Sequence, residues 1–212
     1  MNSGSSPASP TTLVLGVLGG IASGKSAVST ALAGPQGLVI SADLLAREIL
    51  NSPEVAGKIS TRFGPKFLDS EGVPDRELLA SEIFINSAQR KLLESWIHPL
   101  VRERILAELE RAQRDGVPRV ALDAPLLLEN DAKHGFVALC DALLFIEVPA
   151  EIRDHRAVTN RGWAAGEVAR REATQLPLDE KRARADFIIS NDGDLNHLGR
   201  EVERVLAAIG KR

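Results

Sequence analysis

Cysteine is almost missing from this chain, and histidine is rare. Cys140 is the only cysteine in 212 residues, which excludes a disulfide framework and a cysteine-based metal site. The four histidines lie far apart and show no metal-ligand spacing. A disulfide-stabilised small domain and the common kinds of zinc site are therefore both excluded.

Long apolar runs and a strong excess of one charge are missing as well. No stretch has the length and hydrophobicity of a transmembrane helix, and no signal peptide is visible. The net charge of −3 does not indicate nucleic acid as a partner. We expect a cytoplasmic protein with no membrane, nucleic-acid or obligate protein partner. Residues 1–11 are rich in Ser, Pro and Gly, and we expect them to form a disordered tail.

One stretch carries most of the functional information, residues 19–26 with the sequence GGIASGKS. It fits G-x-x-x-x-G-K-[ST], the phosphate-binding P-loop. The apolar run 13–18 precedes it and predicts a short buried strand, and a helical pattern follows and ends near Gly34. A chance glycine-rich turn is the alternative, but the order of strand, glycine loop and helix favours a phosphate site.

The chemistry of such a loop follows from its backbone. Glycines let successive N–H groups point at phosphate oxygens, and the following helix adds partial positive charge. Lys25 can reach the β and γ phosphates, and the hydroxyl of Ser26 can ligate Mg²⁺. The residues predicted to bind the nucleotide here are Gly20, Ile21, Ala22, Ser23, Gly24, Lys25, Ser26 and Ala27.

Further apolar runs predict the other strands of a sheet. These runs lie at 37–41, 119–123, 142–148 and 187–189. An amphipathic helix is predicted at 194–210, with Leu195, Leu198, Val202, Val205, Leu206 and Ile209 on its apolar face. Strands that alternate with helices predict a parallel sheet in an α/β sandwich.

The chain divides into a core, an insertion and a lid. The predicted nucleotide-binding core consists of 12–50, 117–148 and 183–212. Residues 51–116 lack strand character and predict a helical insertion that binds the substrate, with His98-Pro99 interrupting its helical pattern. Residues 149–182 are charged and helical, and they predict a mobile lid.

Two aspartates follow predicted strands, Asp43 after the second and Asp123 at the end of the third. The carboxyl ends of parallel strands face the ligand crevice, so both are expected near the P-loop. Asp43 can accept the proton of an attacking hydroxyl, but it suits equally well the cap of a helix that begins at Leu44. Asp123 is placed like a Walker-B aspartate that holds a water of Mg²⁺, the alternative being a strand-end turn residue.

Arginine is the cation of the lid, since no lysine occurs between Lys133 and Lys181. The lid arginines are Arg153, Arg156, Arg161, Arg170 and Arg171. Planar guanidinium groups suit phosphate oxygens and transition-state charge better than ammonium groups do. Acidic residues interleaved at helical pairing distances support a solvated helix surface instead. We expect two or three of these arginines to contact phosphate.

Together these segments resemble the dephospho-CoA kinase family. The loop 19–26 looks like GGIGSGK[ST], and 39–43 followed by 46–48 looks like VIDAD and ARE. Further matching segments are Phe63-Gly64, Asp75-Arg76, 97–101 (IHPLV), 125–129 (PLLLE), Arg161-Gly162, Arg171, Gln175, Lys181, Ala185-Asp186 and 191–193. The combination is far more specific than a P-loop alone, which names only a superfamily.

This resemblance implies transfer of the γ-phosphoryl group of ATP to the ribose 3′-hydroxyl of dephospho-CoA. It also implies a three-layer α/β/α P-loop kinase core with a five-stranded parallel sheet, and a CoA-binding role for the insertion 51–116. Asp43 matches the position of the base in this family, and Mg²⁺ would be held by Ser26 and, through water, by Asp123.

The same resemblance assigns roles to the lid and to the end of the chain. Lys25, Arg161 and Arg171 are expected to act on the transferred phosphoryl group. The adenine of ATP would lie near the base of the lid and Asn191.

Three residues depart from the family's pattern. Ala22 replaces a loop glycine, so we expect a position that does not need a positive φ. Ala27 replaces a threonine and lacks its hydroxyl. Ser41 replaces the first of two aspartates, which leaves Asp43 as the carboxylate for the base role.

Three other classes of function compete with this interpretation. A different small-molecule or nucleotide kinase would share the P-loop and the lid. A GTPase switch would need an N-K-x-D guanine motif, which the sequence does not contain. A non-catalytic ATP-binding adaptor is disfavoured because Lys25, Ser26, Asp43 and Asp123 are all present.

Overall fold

The computed structural model describes residues 12–211, so the predicted tail at 1–11 lies outside the described residues. Two compact units make up the chain. Among the described residues, the first combines 12–40 with 109–211, and the second is Ser41–Glu108. The P-loop and the predicted lid both belong to the first unit.

Five strands form one parallel sheet in the order β2-β3-β1-β4-β5. Their bounds are β1 Leu13–Gly19, β2 Leu38–Ser41, β3 Arg119–Asp123, β4 Ala142–Glu147 and β5 Phe187–Ser190. Every predicted strand is present within one or two residues of its expected ends. In the register of the sheet, Val17 lies opposite Asp123 and Gly19 lies opposite Ile146.

Ten α-helices connect and cover these strands in the part of the chain that the structure describes. Their bounds are α1 Lys25–Ala33, α2 Ala42–Leu50, α3 Pro53–Arg62, α4 Arg76–Ile85, α5 Ser87–Arg114, α6 Asp131–His134, α7 Ala150–Arg161, α8 Glu167–Glu172, α9 Leu178–Ala183 and α10 Leu195–Ile209. The alternation of strand and helix confirms the predicted α/β class.

The core of the first unit lies on the central strands. Leu15 and Val17 of β1 and Leu144 of β4 are fully buried, as expected for parallel strands covered on both faces. Helix α10 packs on this core through Leu198, Val202 and Val205. Leu195 was predicted on the same face, but its side chain is 82% exposed because it is the first residue of the helix.

The second unit has a core of its own. Val55 and Ile59 of α3 are buried against Phe67, Leu79 and Leu93. Partly buried aromatic rings close the cluster, with Phe63 in edge-to-face contact with Phe67 and Trp96. An independent apolar core supports the prediction that these helices form a separate substructure.

One prediction about this helical region is wrong. Helix α5 runs without interruption from Ser87 to Arg114, with Pro99 inside it. A proline keeps the φ of a helix and removes one N–H donor, so the neighbouring turns can carry the helix past it. Of the two roles left open for Asp43, the structure rules out the cap, because α2 begins at Ala42, is capped by Ser41 and has Asp43 in its first turn.

None of the described helices combines the length and the hydrophobicity that crossing a membrane requires.

Candidate active site

The glycine-rich loop joins the buried end of β1 to the first turn of α1. Gly24 precedes the helix with φ +83°, a left-handed conformation that glycine adopts easily. The N–H of Ser23 donates to the carbonyl oxygen of Gly20 at 3.3 Å, which closes the turn of the loop. Strand, turn and helix N-terminus are thus arranged as the P-loop prediction requires.

Ala22 corrects the expectation drawn from the sequence. Its φ is +58°, so the family's loop glycine is replaced at a position that does take a positive φ. The left-handed region costs an alanine about 1–2 kcal/mol, because its Cβ approaches the backbone. The surrounding loop therefore holds Ala22 in a strained conformation.

Lys25 folds back over the loop. Its ammonium donates to the carbonyl oxygens of Gly20 at 2.8 Å and Gly19 at 3.2 Å. Burial lowers the pKa of Lys25 to about 8, and the carboxylate of Asp123 opposes this shift. A partly desolvated cation is therefore fixed above the loop, where nucleotide phosphates are expected.

Ser26 and Asp123 are brought together by the sheet. β1 and β3 are parallel neighbours, so their carboxyl ends meet, and the hydroxyl of Ser26 donates to Oδ2 of Asp123 at 3.1 Å. A hydroxyl beside a buried carboxylate fits Mg²⁺, which takes oxygen ligands and keeps several waters. Within residues 12–211, His, Cys, Asp and Glu form no group of three or more that could hold a metal ion unaided.

A cavity of about 500 Å³ opens beside the loop in the first unit. It is lined by Ala22, Gly24, Ala27, Arg156, Asn160, Arg161, Asn191, Gly193, Asp194, Leu195 and Leu198. Asn191 is only 7% exposed, and its amide donates to the carbonyl oxygen of Ser23 at 2.8 Å. Asn191 thus supports the backbone of the loop, and its predicted contact with adenine stays a prediction.

Helix α7 supplies a polar face that joins two of the lid arginines to Asn160, a residue that the sequence did not indicate as part of the site. Arg153, Arg156 and Asn160 are spaced by three and four residues, which places them on one side of the helix. Arg156 donates to the carbonyl oxygen of Asn191 at 2.9 Å, and both Arg156 and Asn160 line the cavity. This helical spacing was the signal that could have separated them from the other lid residues.

The two arginines predicted to be catalytic share one aromatic ring. The guanidinium carbon of Arg171 lies 4.2 Å from the centroid of Trp163, and that of Arg161 lies 5.1 Å from it. Arg171 also pairs with Glu167 at 2.7 Å, and Arg161 lines the cavity. Bonds to Arg170 and Arg171 lower the pKa of the Glu167 carboxyl to about 2. The ring of Trp163 therefore orients both cations within the lid.

Asp43 belongs to the second unit, where its side chain is exposed in the first turn of α2. The hydroxyl of Ser41 accepts a hydrogen bond from the N–H of Leu44 at 3.4 Å and caps that helix. Ser41 is thus the N-cap of α2, and the carboxylate of Asp43 does not cap the helix. The role of Asp43 as a base stays a prediction.

The fold and the site define a class of protein. A parallel sheet of order 2-3-1-4-5 leads from its central strand into a GGIASGKS loop, with a half-buried lysine, a Ser–Asp pair and an arginine-rich helical segment around it. These features are those of a P-loop kinase.

Comparison with known proteins gives the family. The model of the dephospho-CoA kinase family matches residues 13–197. A dephospho-CoA kinase of Geobacillus kaustophilus is 39% identical over 197 residues, covering 92% of this chain and 96% of the relative. The chain therefore belongs to the dephospho-CoA kinase family, whose members phosphorylate dephospho-CoA with ATP to make coenzyme A.

Solved structures agree with this assignment. The dephospho-CoA kinase from Campylobacter jejuni is 29% identical, with a TM-score of 0.68 over 93% of this chain and 97% of that chain. A crystal structure of a Thermus thermophilus protein is 33% identical, with a TM-score of 0.74 over 93% of this chain and 98% of that chain. The predicted fold class, family and enzyme class are confirmed.

Proposed function

We propose that this chain binds ATP at the P-loop and transfers its γ-phosphoryl group to the ribose 3′-hydroxyl of dephospho-CoA, giving coenzyme A and ADP. The observation that carries the proposal is the placement of Lys25 and Ser26 at the phosphate loop, with Asp123 of β3 bound to Ser26, in a chain of this family. Phosphoryl transfer needs little covalent chemistry from a protein, so positioning and charge supply most of the catalysis.

At the loop, the backbone N–H groups and the Lys25 ammonium are the donors for the phosphate oxygens. Lys25 now donates to two loop carbonyls, and phosphate would replace these acceptors. Ser26 and Asp123 are the residues that would hold Mg²⁺, Asp123 acting through water. When bound, the ion neutralises charge that develops on the phosphates.

Asp43 and the lid complete the proposed machinery. The carboxylate of Asp43 would accept the proton of the 3′-hydroxyl, and the second unit would bind the CoA part of the acceptor. Arg161 and Arg171 would stabilise the charge of the transferred group, for which their forked donors are well suited. We place the reaction in the cytoplasm, since both substrates are water-soluble nucleotides.

A coupled assay of ADP release tests the proposal. The purified chain is given ATP and Mg²⁺ with dephospho-CoA, with nucleoside monophosphates, or with sugars as acceptors. We expect dephospho-CoA to be the only one of these acceptors that supports ADP release. The Lys25→Ala variant should lose that turnover by orders of magnitude. Turnover with another acceptor, or normal activity of the Lys25→Ala chain, would overturn the proposal.

A further inference from the structure

A carboxylate of the lid lies against the phosphate loop. Oε1 of Glu172, the last residue of α8, accepts a hydrogen bond from the backbone N–H of Ile21 at 2.6 Å. Ile21 is the third residue of GGIASGKS. A backbone donor of the loop is thus bound to an anion that the chain itself supplies, 151 residues away in the sequence.

The same oxygen is held by a buried arginine. Nη1 of Arg153 donates to Oε1 of Glu172 at 2.5 Å, and Nε of Arg153 donates to the carbonyl oxygen of Val148 at 3.2 Å. The side chain of Arg153 is 7% exposed, whereas that of Glu172 retains 14% exposure. The guanidinium is therefore anchored by the backbone, and the carboxylate is the partner nearer to solvent.

The side chains of Arg153 and Glu172 both lie close to Gly20, near the start of the loop. A Cβ placed on Gly20 would lie 2.6 Å from Nη1 of Arg153 and 2.6 Å from Oε1 of Glu172. A side chain at position 20 would therefore require Arg153 or Glu172 to move. Two donors, the N–H of Ile21 and the Arg153 guanidinium, thus converge on one negatively charged oxygen beside the P-loop.

We propose that Arg153 and the N–H of Ile21 form an anion subsite of the kinase, and that Glu172 fills this subsite until a phosphate group of the nucleotide displaces it. The inference rests on the proposed ATP site. A carboxylate and a phosphate are both anions that accept from amide and guanidinium donors, so they compete for the same position. Arg153 is then a phosphate-binding residue of the lid, in addition to Arg161 and Arg171.

Competition has a measurable consequence for affinity. While Glu172 occupies the subsite, its charge repels the incoming phosphates and its bonds must be exchanged. A fixed clamp between lid and loop would have the opposite effect, because losing it would loosen the P-loop and weaken nucleotide binding. The sign of the change in affinity therefore separates the two roles.

Glu172→Gln is the test, since glutamine keeps the shape and an acceptor oxygen but removes the charge. Dissociation constants for ATP, tripolyphosphate and adenosine are measured by calorimetry on the whole chain. We expect ATP and tripolyphosphate to bind about three- to tenfold more tightly, the size of a partly exposed charge interaction. Adenosine, which has no phosphate, should bind as before.

A control lies on the neighbouring helix. Glu151 is exposed in the first turn of α7, and Glu151→Gln should leave the affinity for tripolyphosphate unchanged. Adding Arg153→Gln to Glu172→Gln should abolish the gain, because the subsite then lacks its guanidinium. Unchanged or weaker ATP binding by Glu172→Gln, an equal gain for adenosine, or a gain that survives in the double variant would each overturn the inference.

The test of the anion subsite can fail or succeed independently of the test of dephospho-CoA kinase activity. Tripolyphosphate reports on the loop without any acceptor. A chain that phosphorylates dephospho-CoA but shows no gain in Glu172→Gln refutes the subsite alone. A gain in a chain that does not turn over dephospho-CoA refutes the activity alone.

Discussion

The side-chain amide of Asn191 donates a hydrogen bond to the carbonyl oxygen of Ser23 at 2.8 Å. This bond joins the residue after β5 to the middle of the P-loop, across 168 residues of sequence. Both residues are buried, so water cannot easily replace either partner. The end of the last strand thereby helps to fix the loop's backbone.

Asn191→Ala should weaken this loop. We expect the free energy of unfolding to fall by about 1–3 kcal/mol, because a buried carbonyl loses its donor. Affinity for ATP should fall as well, and Asn191→Asp should be worse than alanine because a carboxylate cannot donate to Ser23. Urea denaturation and calorimetry measure both effects. Asp192→Ala, on the exposed side of the same turn, is the control, and equal losses in the two alanine variants would contradict the prediction.

The affinity for ATP should depend on pH through Lys25. Its lowered pKa of about 8 makes it a cation below that pH and neutral above it. Phosphate binds the cation, so binding should be strongest below pH 8 and weaken by up to about tenfold per pH unit above it. Calorimetry between pH 7 and 9.5 gives the profile. Lys25→Arg stays charged throughout, so a profile as steep as that of the unmodified chain would refute the assignment to Lys25.

Ala22→Gly should stabilise the protein. Glycine removes the cost of the left-handed conformation, about 1–2 kcal/mol, but loses about 0.5–1 kcal/mol more entropy on folding. The expected gain in the free energy of unfolding is about 0.5–1 kcal/mol. Ala27→Gly, at an exposed position of α1, should instead cost about 1 kcal/mol. Equal destabilisation of both variants in urea denaturation would show that Ala22 is not strained.

Variants of Asp43 should change catalysis, whereas variants of Ser41 should change mainly stability. Asp43→Asn should lower kcat by about 10²–10⁴-fold while ATP affinity is kept, if its carboxylate is the base. Ser41→Ala should lower the free energy of unfolding by about 1 kcal/mol through loss of the α2 cap, with a far smaller effect on kcat. Ser41→Asp retains a cap and should change KM or Mg²⁺ dependence more than kcat. Steady-state kinetics measure these effects on kcat and KM. An Asp43→Asn enzyme with nearly normal kcat would refute the role of Asp43 as the base.

Arg171→Lys should affect mainly kcat. Lysine keeps the charge but loses the planar fork and the stacking on Trp163. Arg170→Lys is a matched control, because Arg170 also pairs with Glu167, whereas the guanidinium groups over the Trp163 ring are those of Arg161 and Arg171. Steady-state kinetics of the two variants compare the roles. If both lysine variants lose the same activity, the loss comes from the pairing with Glu167 and not from catalysis by Arg171.

Local patterns in the sequence determined the elements and the phosphate site. Apolar runs gave all five strands, and the GGIASGKS spacing gave the loop between β1 and α1. Both signals lie within about ten neighbouring residues, because the side-chain period and the turn chemistry depend on the local backbone. Where the local rule was incomplete, as for Pro99 inside α5, neighbouring helical turns decided the outcome.

Only the tertiary structure decided the strand order and the partners of the charged groups. The Asn191–Ser23 bond and the contact of the Arg153–Glu172 pair with Ile21 join parts of the chain that lie far apart in the sequence. The left-handed conformation of Ala22 depends on a loop that the surrounding structure holds in place. Arg153 and Arg171 are both lid arginines by sequence, yet one is buried beside the loop and the other is half exposed over a ring. Such pairings follow from the packing of whole elements, which residue type and spacing do not specify.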